Sequence, residues 1–270
     1  MPQSPAEKRS RFSELHQTGC FVIPNPWDVG SAIALQALGF KALATTSAGL
    51  AWSLGKPDNR IGLQQALDHL RAVAGAVDIP VNADFENGFA HDAEGVAANV
   101  ARAAETGIAG LSIEDSTGDA TAPLYEFDHA VRRIAAARAA IDAGGSGVLL
   151  TARSEGFLVG RPDLEETLRR LTAYAEAGAD CLYAPGLREP AQIEQVCRAL
   201  SPRPVNVLTP GLPVQQLASL GVRRISVGAS LARAAWGGFY AAAREIADLG
   251  TFESFQTAAS GGKLNALFAG

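Results

Sequence analysis

Pro80-Val81-Asn82-Ala83-Asp84-Phe85-Glu86-Asn87-Gly88-Phe89 opens on a proline, passes through a short apolar run and ends in two carboxylates two residues apart. A run of this length and make-up reads as a buried strand of a parallel sheet, whose two covered faces remove the alternation of a half-exposed strand. Seven comparable runs flank it, at Cys20–Pro24, Ala42–Thr46, Gly110–Glu114, Gly147–Thr151, Cys181–Ala184, Pro204–Leu208 and Arg224–Val227. Amphipathic stretches separate them, among them Asp92–Glu105, Asp128–Asp142 and Asp163–Glu176, each opened by an aspartate suited to cap a first turn. Gly39, Gly107, Gly178 and Gly221 stand where helices should stop before the next strand. Eight strand-helix units in strict alternation predict a (β/α)8 TIM barrel rather than an open doubly wound sheet. No G-x-G-x-x-G follows the first strand, which argues against dinucleotide binding.

Composition agrees with one barrel domain over 1–270, with 251–270 as a C-terminal tail. The 270 residues are 47% hydrophobic and 19% charged, enough apolar material for a large core. A net charge of −5 with scattered Lys and Arg gives no field for nucleic acid. The polar Met1–Gln17 stretch lacks a signal-peptide core, and no apolar run is long enough for a membrane span, so a cytoplasmic protein is expected. Cys20, Cys181 and Cys197 are odd in number and widely spaced, and are read as reduced thiols. The tail carries a short helical pattern with Leu264, Leu267 and Phe268, suited to pack on the barrel or on a neighbouring subunit.

In a barrel of this kind, strand C-termini and the following loops line the catalytic mouth. Asp84 and Glu86 end the third strand there, and Glu114 with Asp115 ends the fourth. Carboxylates crowded at one mouth repel, and oxygen-only donors point to Mg2+ or Mn2+ rather than zinc as their shared counter-charge. Arg153 closes the fifth strand, where a guanidinium can grip a carboxylate or an enolate oxygen. Thr45–Gly49 is a run of small residues whose backbone N–H groups can approach an anion. Asp115–Phe127 is long for such a loop and reads as a lid, while His91, His129 and Tyr125 are the nearby proton-donor candidates.

These segments resemble the isocitrate lyase and phosphoenolpyruvate mutase superfamily from about Phe21 to Leu249. The resemblance rests on Asp84-Phe85-Glu86-Asn87-Gly88-Phe89, Ile113-Glu114-Asp115, Ala152-Arg153-Ser154-Glu155 and Ser53-Leu54-Gly55-Lys56-Pro57-Asp58, in that family's order along the strands. It implies Asp84 as a direct Mg2+ ligand, with Asp58, Glu86 and Glu114 holding the ion directly or through water. It also implies Thr46, Ser47 and Ala48 as the cradle of a substrate carboxylate, and Arg153 and Glu114 as the catalytic candidates. The implied enzyme is a carbon–carbon lyase acting on a small 2-oxo acid or related diacid or triacid through an enolate. Phosphonopyruvate hydrolase or phosphonomutase chemistry is the alternative, and a non-catalytic 2-oxo-acid binder is a third. The family also implies a homo-oligomer, dimer or tetramer, with the helical region after Trp236 exchanged between subunits. One departure stands out: Asp115–Pro123 holds no Cys, Lys or His, so it lacks both the cysteine motif of the lyase lid and the lysine and asparagine of the mutase lid. A second is Glu86, where those enzymes more often use Asp.

Overall fold

The computed structural model describes residues 3–209 and 211–269. Eight parallel strands follow one another round the sheet: β1 (Phe21–Ile23), β2 (Leu43–Ala44), β3 (Val81–Asp84), β4 (Gly110–Glu114), β5 (Leu149–Arg153), β6 (Cys181–Tyr183), β7 (Val205–Leu208) and β8 (Arg224–Ser226). Ladders join every neighbouring pair from β2 to β8, and β8 pairs with β1. The remaining seam between β1 and β2 is bridged by the Ala44 N–H, which donates to the Pro24 carbonyl at 3.0 Å, and by Asn25 Nδ2, which donates to the Thr45 carbonyl at 3.0 Å. The expected (β/α)8 architecture is therefore present. Between the strands run α2 (Val29–Ala37), α4 (Leu63–Ala76), α5 (Ala93–Ala104), α6 (Phe127–Ala143), α7 (Leu164–Glu176), α8 (Pro190–Leu200) and α9 (Val214–Ser219), with α10 (Ser230–Leu249) after β8. Their apolar faces meet the outer faces of the strands in one continuous core that includes Leu70, Val100, Ile113, Leu150 and Leu182.

Local chemistry explains most boundaries. Asp92 and Asp163 cap α5 and α7 by accepting from the N–H groups of Gly95 (2.7 Å) and Glu166 (3.0 Å). Asp128 does not cap as expected: the cap position falls on Glu126 and α6 starts at Phe127, which puts Asp128 in the first turn, where its charge meets the helix dipole instead. Gly178 ends α7 with φ +101°, and Arg138 packs so close that any Cβ would collide with it. β5 begins at Leu149 rather than Gly147, because Gly147 turns with φ +68° before the chain can pair, and the strand runs on to Arg153.

Three helices lie outside the eight expected units. α1 (Pro5–Leu15) opens with a capping box in which Ser4 and Glu7 exchange hydrogen bonds. It crosses the N-terminal end of the barrel, where the wholly buried Phe12 packs among Ala42, Ala109, Leu149 and Cys181. A side chain on Gly110 would come within 2.6 Å of that ring, so the glycine makes room for the plug. Lys8 donates to the Ala74 carbonyl and Arg9 to that of Ala104, tying α1 to the carbonyl-rich ends of α4 and α5. α3 (Ser47–Ser53) replaces the loop expected over Thr45–Gly49, with Thr46 as its N-cap. In the tail, a 3-10 turn (Glu253–Thr257) precedes α11 (Gly261–Phe268), which lies against α2 with Phe268 beside Gly30.

Candidate active site

Strand register assembles the mouth. Glu114 on β4 pairs with Arg153 on β5, and Arg153 pairs with Tyr183 on β6, which sets an acid, a guanidinium and a phenol side by side. Arg153 is the hub. Its Nη1 donates to Asp84 Oδ1 at 2.8 Å, its Nη2 lies 3.1 Å from Glu114 Oε2, and its Nε donates to Glu155 Oε1 at 2.9 Å. The guanidinium carbon lies 5.3 Å from the centre of the Tyr183 ring. Asp84 is fixed from the other side by α3: the N–H and the hydroxyl of Ser47 both donate to Oδ2 at 2.9 Å. The Asp84 N–H in turn donates to Thr45 Oγ1.

Two further acids complete the cluster. Glu86 sits in the left-handed region at φ +46°, is buried, and its Oε1 has no hydrogen-bond partner among the described residues. Asp58 comes from the segment after α3, where its carboxylate accepts from the Asn59 N–H. Asp115, by contrast, is committed to structure: its carboxylate accepts from Tyr174 Oη at 2.6 Å, from Arg170, and from the Glu155 N–H, pinning the base of the loop.

The electrostatics follow from five carboxylates, Asp58, Asp84, Glu86, Glu114 and Glu155, sharing one guanidinium. Burial pushes Glu86 up to about 8, with Asp84 and Asp58 adding repulsion. Burial likewise raises Asp58 and lifts Glu114 well above the carboxylate range. Burial works against the Arg153 charge too, but Glu155, Glu114 and Asp84 hold its proton more tightly than usual. Tyr183 is pushed up to about 12, chiefly by burial, so it stays a neutral donor at neutral pH.

A cavity of about 220 Å³ opens at this mouth and runs down inside the barrel. Of the expected site residues, Asp58, Asp84, Thr46, Ser47, Ala48 and Arg153 line it, while Glu86 and Glu114 do not. Among the described residues, no three His, Cys, Asp or Glu side chains converge closely enough to enclose a metal ion unaided. His91, Tyr125 and His129 cluster with one another, rings 5.0 to 5.6 Å apart, and none lines the cavity. The Asp115–Phe127 segment, expected as a lid, folds on itself, the Thr117 N–H donating to the Pro123 carbonyl and that of Tyr125 to the Asp115 carbonyl. The cavity also takes in Tyr183, Asn206, Arg224 and Ser226, which sequence reasoning did not single out. Their one local signal is polarity at inward positions of otherwise apolar strands.

The family model of phosphoenolpyruvate phosphomutase matches residues 12–247. A crystal structure from Burkholderia cenocepacia J2315, assigned only the class lyase/mutase, superposes with a TM-score of 0.95 at 49% identity, covering 98% of this chain and 97% of that one. An oxaloacetate decarboxylase of Pseudomonas putida (strain GB-1) is 30% identical over 84% of this chain and 81% of its own length. Phosphonopyruvate hydrolase in complex with oxalate and Mg2+ matches with a TM-score of 0.85 at 25% identity, over 96% of this chain and 94% of that one.

Proposed function

The chain belongs to the isocitrate lyase and phosphoenolpyruvate mutase superfamily of enzymes, and on that premise we propose that it is a Mg2+-dependent carbon–carbon lyase acting on a small 2-oxo acid through an enolate. One observation carries the reading: Arg153 lines the cavity at the barrel mouth and there grips Asp84 at 2.8 Å and Glu114 at 3.1 Å.

The donor set fits a hard divalent cation. The cluster is all oxygen and carries more carboxylates than guanidinium, and Glu86 Oε1 is a buried acceptor with no partner among the described residues. Mg2+ commonly keeps several waters and takes one or two carboxylates, so a site without three converging ligands still suits it. Asp84 would hold the ion directly, with Asp58, Glu86 and Glu114 holding it directly or through water; Mn2+ would fit the same donors. When bound, the ion supplies positive charge that stabilises an enolate.

The chain's own residues do the rest. Arg153 can turn a guanidinium edge toward the 2-oxo oxygen while Glu114 and Glu155 hold its plane. Thr46, Ser47 and Ala48, at the start of α3, would hold the substrate carboxylate with hydroxyl and N–H donors. The bond from C3 to its departing group then breaks with its electron pair moving into the enolate; the group leaves as a neutral electrophile such as CO2, and C3 takes a proton from water.

A cytoplasmic homo-oligomer, dimer or tetramer, is part of the same reading. The three free cysteines suit a reducing compartment, and the apolar residues left exposed on α10 suit a subunit contact. The test is release of pyruvate from a panel of 2-oxo and 2-hydroxy diacids, with and without Mg2+. Turnover above the metal-only background is expected; none on any member would overturn the lyase. The likeness to phosphonopyruvate hydrolase favours one rival, cleavage of a carbon–phosphorus bond, which phosphorus NMR of phosphonopyruvate would reveal as a new phosphate signal.

A further inference from the structure

The cavity contains two arginines in opposite electrostatic situations. Arg153 is held by three carboxylates. Arg224, only 3% exposed, has no acid: its Nε donates to Asn206 Oδ1 at 2.8 Å, its Nη2 to Thr151 Oγ1 at 3.1 Å, and its Nη1 meets His16 Nε2 at 3.3 Å. The histidine cannot serve as a counter-charge. His16 Nδ1 lies 2.7 Å from the Phe12 carbonyl, which only accepts, so Nδ1 carries the proton and Nε2 is the lone pair facing Arg224. Among the described residues, then, Arg224 is a buried cation with neutral partners alone. A guanidinium has five N–H groups, and three of these are used, which leaves two for the cavity that Arg224 helps to line.

Burying an unpaired cation is unfavourable, and it is tolerated where something else in the site supplies the negative charge. We infer that Arg224 is a second anion subsite at the cavity floor, the residue that receives the distal carboxylate of a diacid substrate. The inference rests on the proposed 2-oxo-acid reading of the mouth. Thr151, which the guanidinium touches, and Arg153 at the mouth are two residues apart on β5 and share its inward face. That separation is about 7 Å at the rise of a strand. An acid with its two carboxylates at the ends of a chain of about four or five carbons spans such a gap; a mono-acid of the same length would leave Arg224 without its anion. Asn206 and Ser226, linked at 3.0 Å beside the guanidinium, give the floor further polar surface for a second carboxylate oxygen.

Matched pairs separate this from the reading of the mouth. Binding is measured by calorimetry in Mg2+ for oxalate, which needs the mouth alone, and for 2-oxoglutarate against 2-oxopentanoate and malate against 2-hydroxybutanoate, pairs differing only in the distal carboxylate. At least one diacid should bind about tenfold or more tighter than its partner, the increment of a charge-assisted contact. Arg224→Met should erase that advantage while oxalate affinity stays within about twofold of wild type. The subsite is overturned if oxalate binds and neither diacid has an advantage in the wild-type protein, or if the advantage survives in Arg224→Met. Should that variant not fold, Arg224→Gln, which keeps an amide donor for Asn206 without the charge, is read in its place by the same two outcomes. Failure of oxalate itself to bind would instead overturn the 2-oxo-acid reading, and the diacid with it.

Discussion

Asn59 holds φ +59° next to Asp58, a conformation that asparagine tolerates and alanine does not. Asn59→Ala should cost about 1 kcal/mol in urea denaturation, and Asn59→Gly should cost little. Because the Asn59 N–H also fixes the Asp58 carboxylate, the alanine variant should in addition weaken Mg2+ binding, read by calorimetry. Asp84→Ala should lower Mg2+-dependent turnover by about 100-fold or more while far-UV circular dichroism stays native, since Arg153 keeps Glu114 and Glu155. Asp84, Glu114 and Arg153 are legible in the sequence because a charge that ends an apolar strand has only the barrel mouth to go to. Asp58 is not: it lies in an irregular segment, and family resemblance alone points to it. Arg224 is hidden for a different reason. It opens its strand, where a charged residue ordinarily marks the solvated end, and only the closed barrel shows that it points inward.

At the scale of elements, α1 behaves as a stopper. Phe12→Ala should cost about 3 to 5 kcal/mol, because the ring is wholly buried among strand starts that cannot collapse onto the space. The same helix ends in an acid-sensitive contact. Burial, with Arg224 and Arg223 nearby, lowers His16 from 6.5 to about 3. Between those two values the unfolded chain binds a proton that the folded chain refuses, so stability falls as the pH drops through the window. The slope should be about 1.4 kcal/mol per pH unit for this group. The difference in urea stability between wild type and His16→Asn, followed from pH 7 to pH 4, should show that slope; a difference independent of pH would count against it. The eight strands and their helices are readable because each is a complete local pattern of apolar run, cap and stop. α1 escapes notice although Ser4 and Glu7 spell out its capping box, because its burial depends on one phenylalanine and on carbonyls from distant helices rather than on an apolar face. α3 escapes because Ser47–Gly49 has loop composition, and only the Thr46 cap and the packing of Leu50 and Ala51 make it helical.

Across the whole molecule, the long α10 is left largely uncovered. Of its 20 residues only Ala232 is buried, while Phe239, Tyr240, Ile246 and Leu249 face outward together with Phe252 and Phe255 of the following turn. A face of this kind suits a second copy of the chain. Light scattering should give the mass of a dimer or tetramer, and Phe239→Glu with Ile246→Glu should reduce it to that of one chain without loss of the barrel's circular dichroism. Sequence periodicity marks α10 as amphipathic, but it carries no information on whether its apolar stripe is covered from within or from outside, since both demand the same pattern. The plug at the other end of the barrel has a kinetic corollary. With Phe12 and α1 packed across the strand starts, the cavity opens at the mouth. If a reactant splits in two inside it, the fragments must leave through the entrance in single file. The deeper one departs last, and product inhibition should therefore be competitive with substrate for that fragment and noncompetitive for the one that exits first.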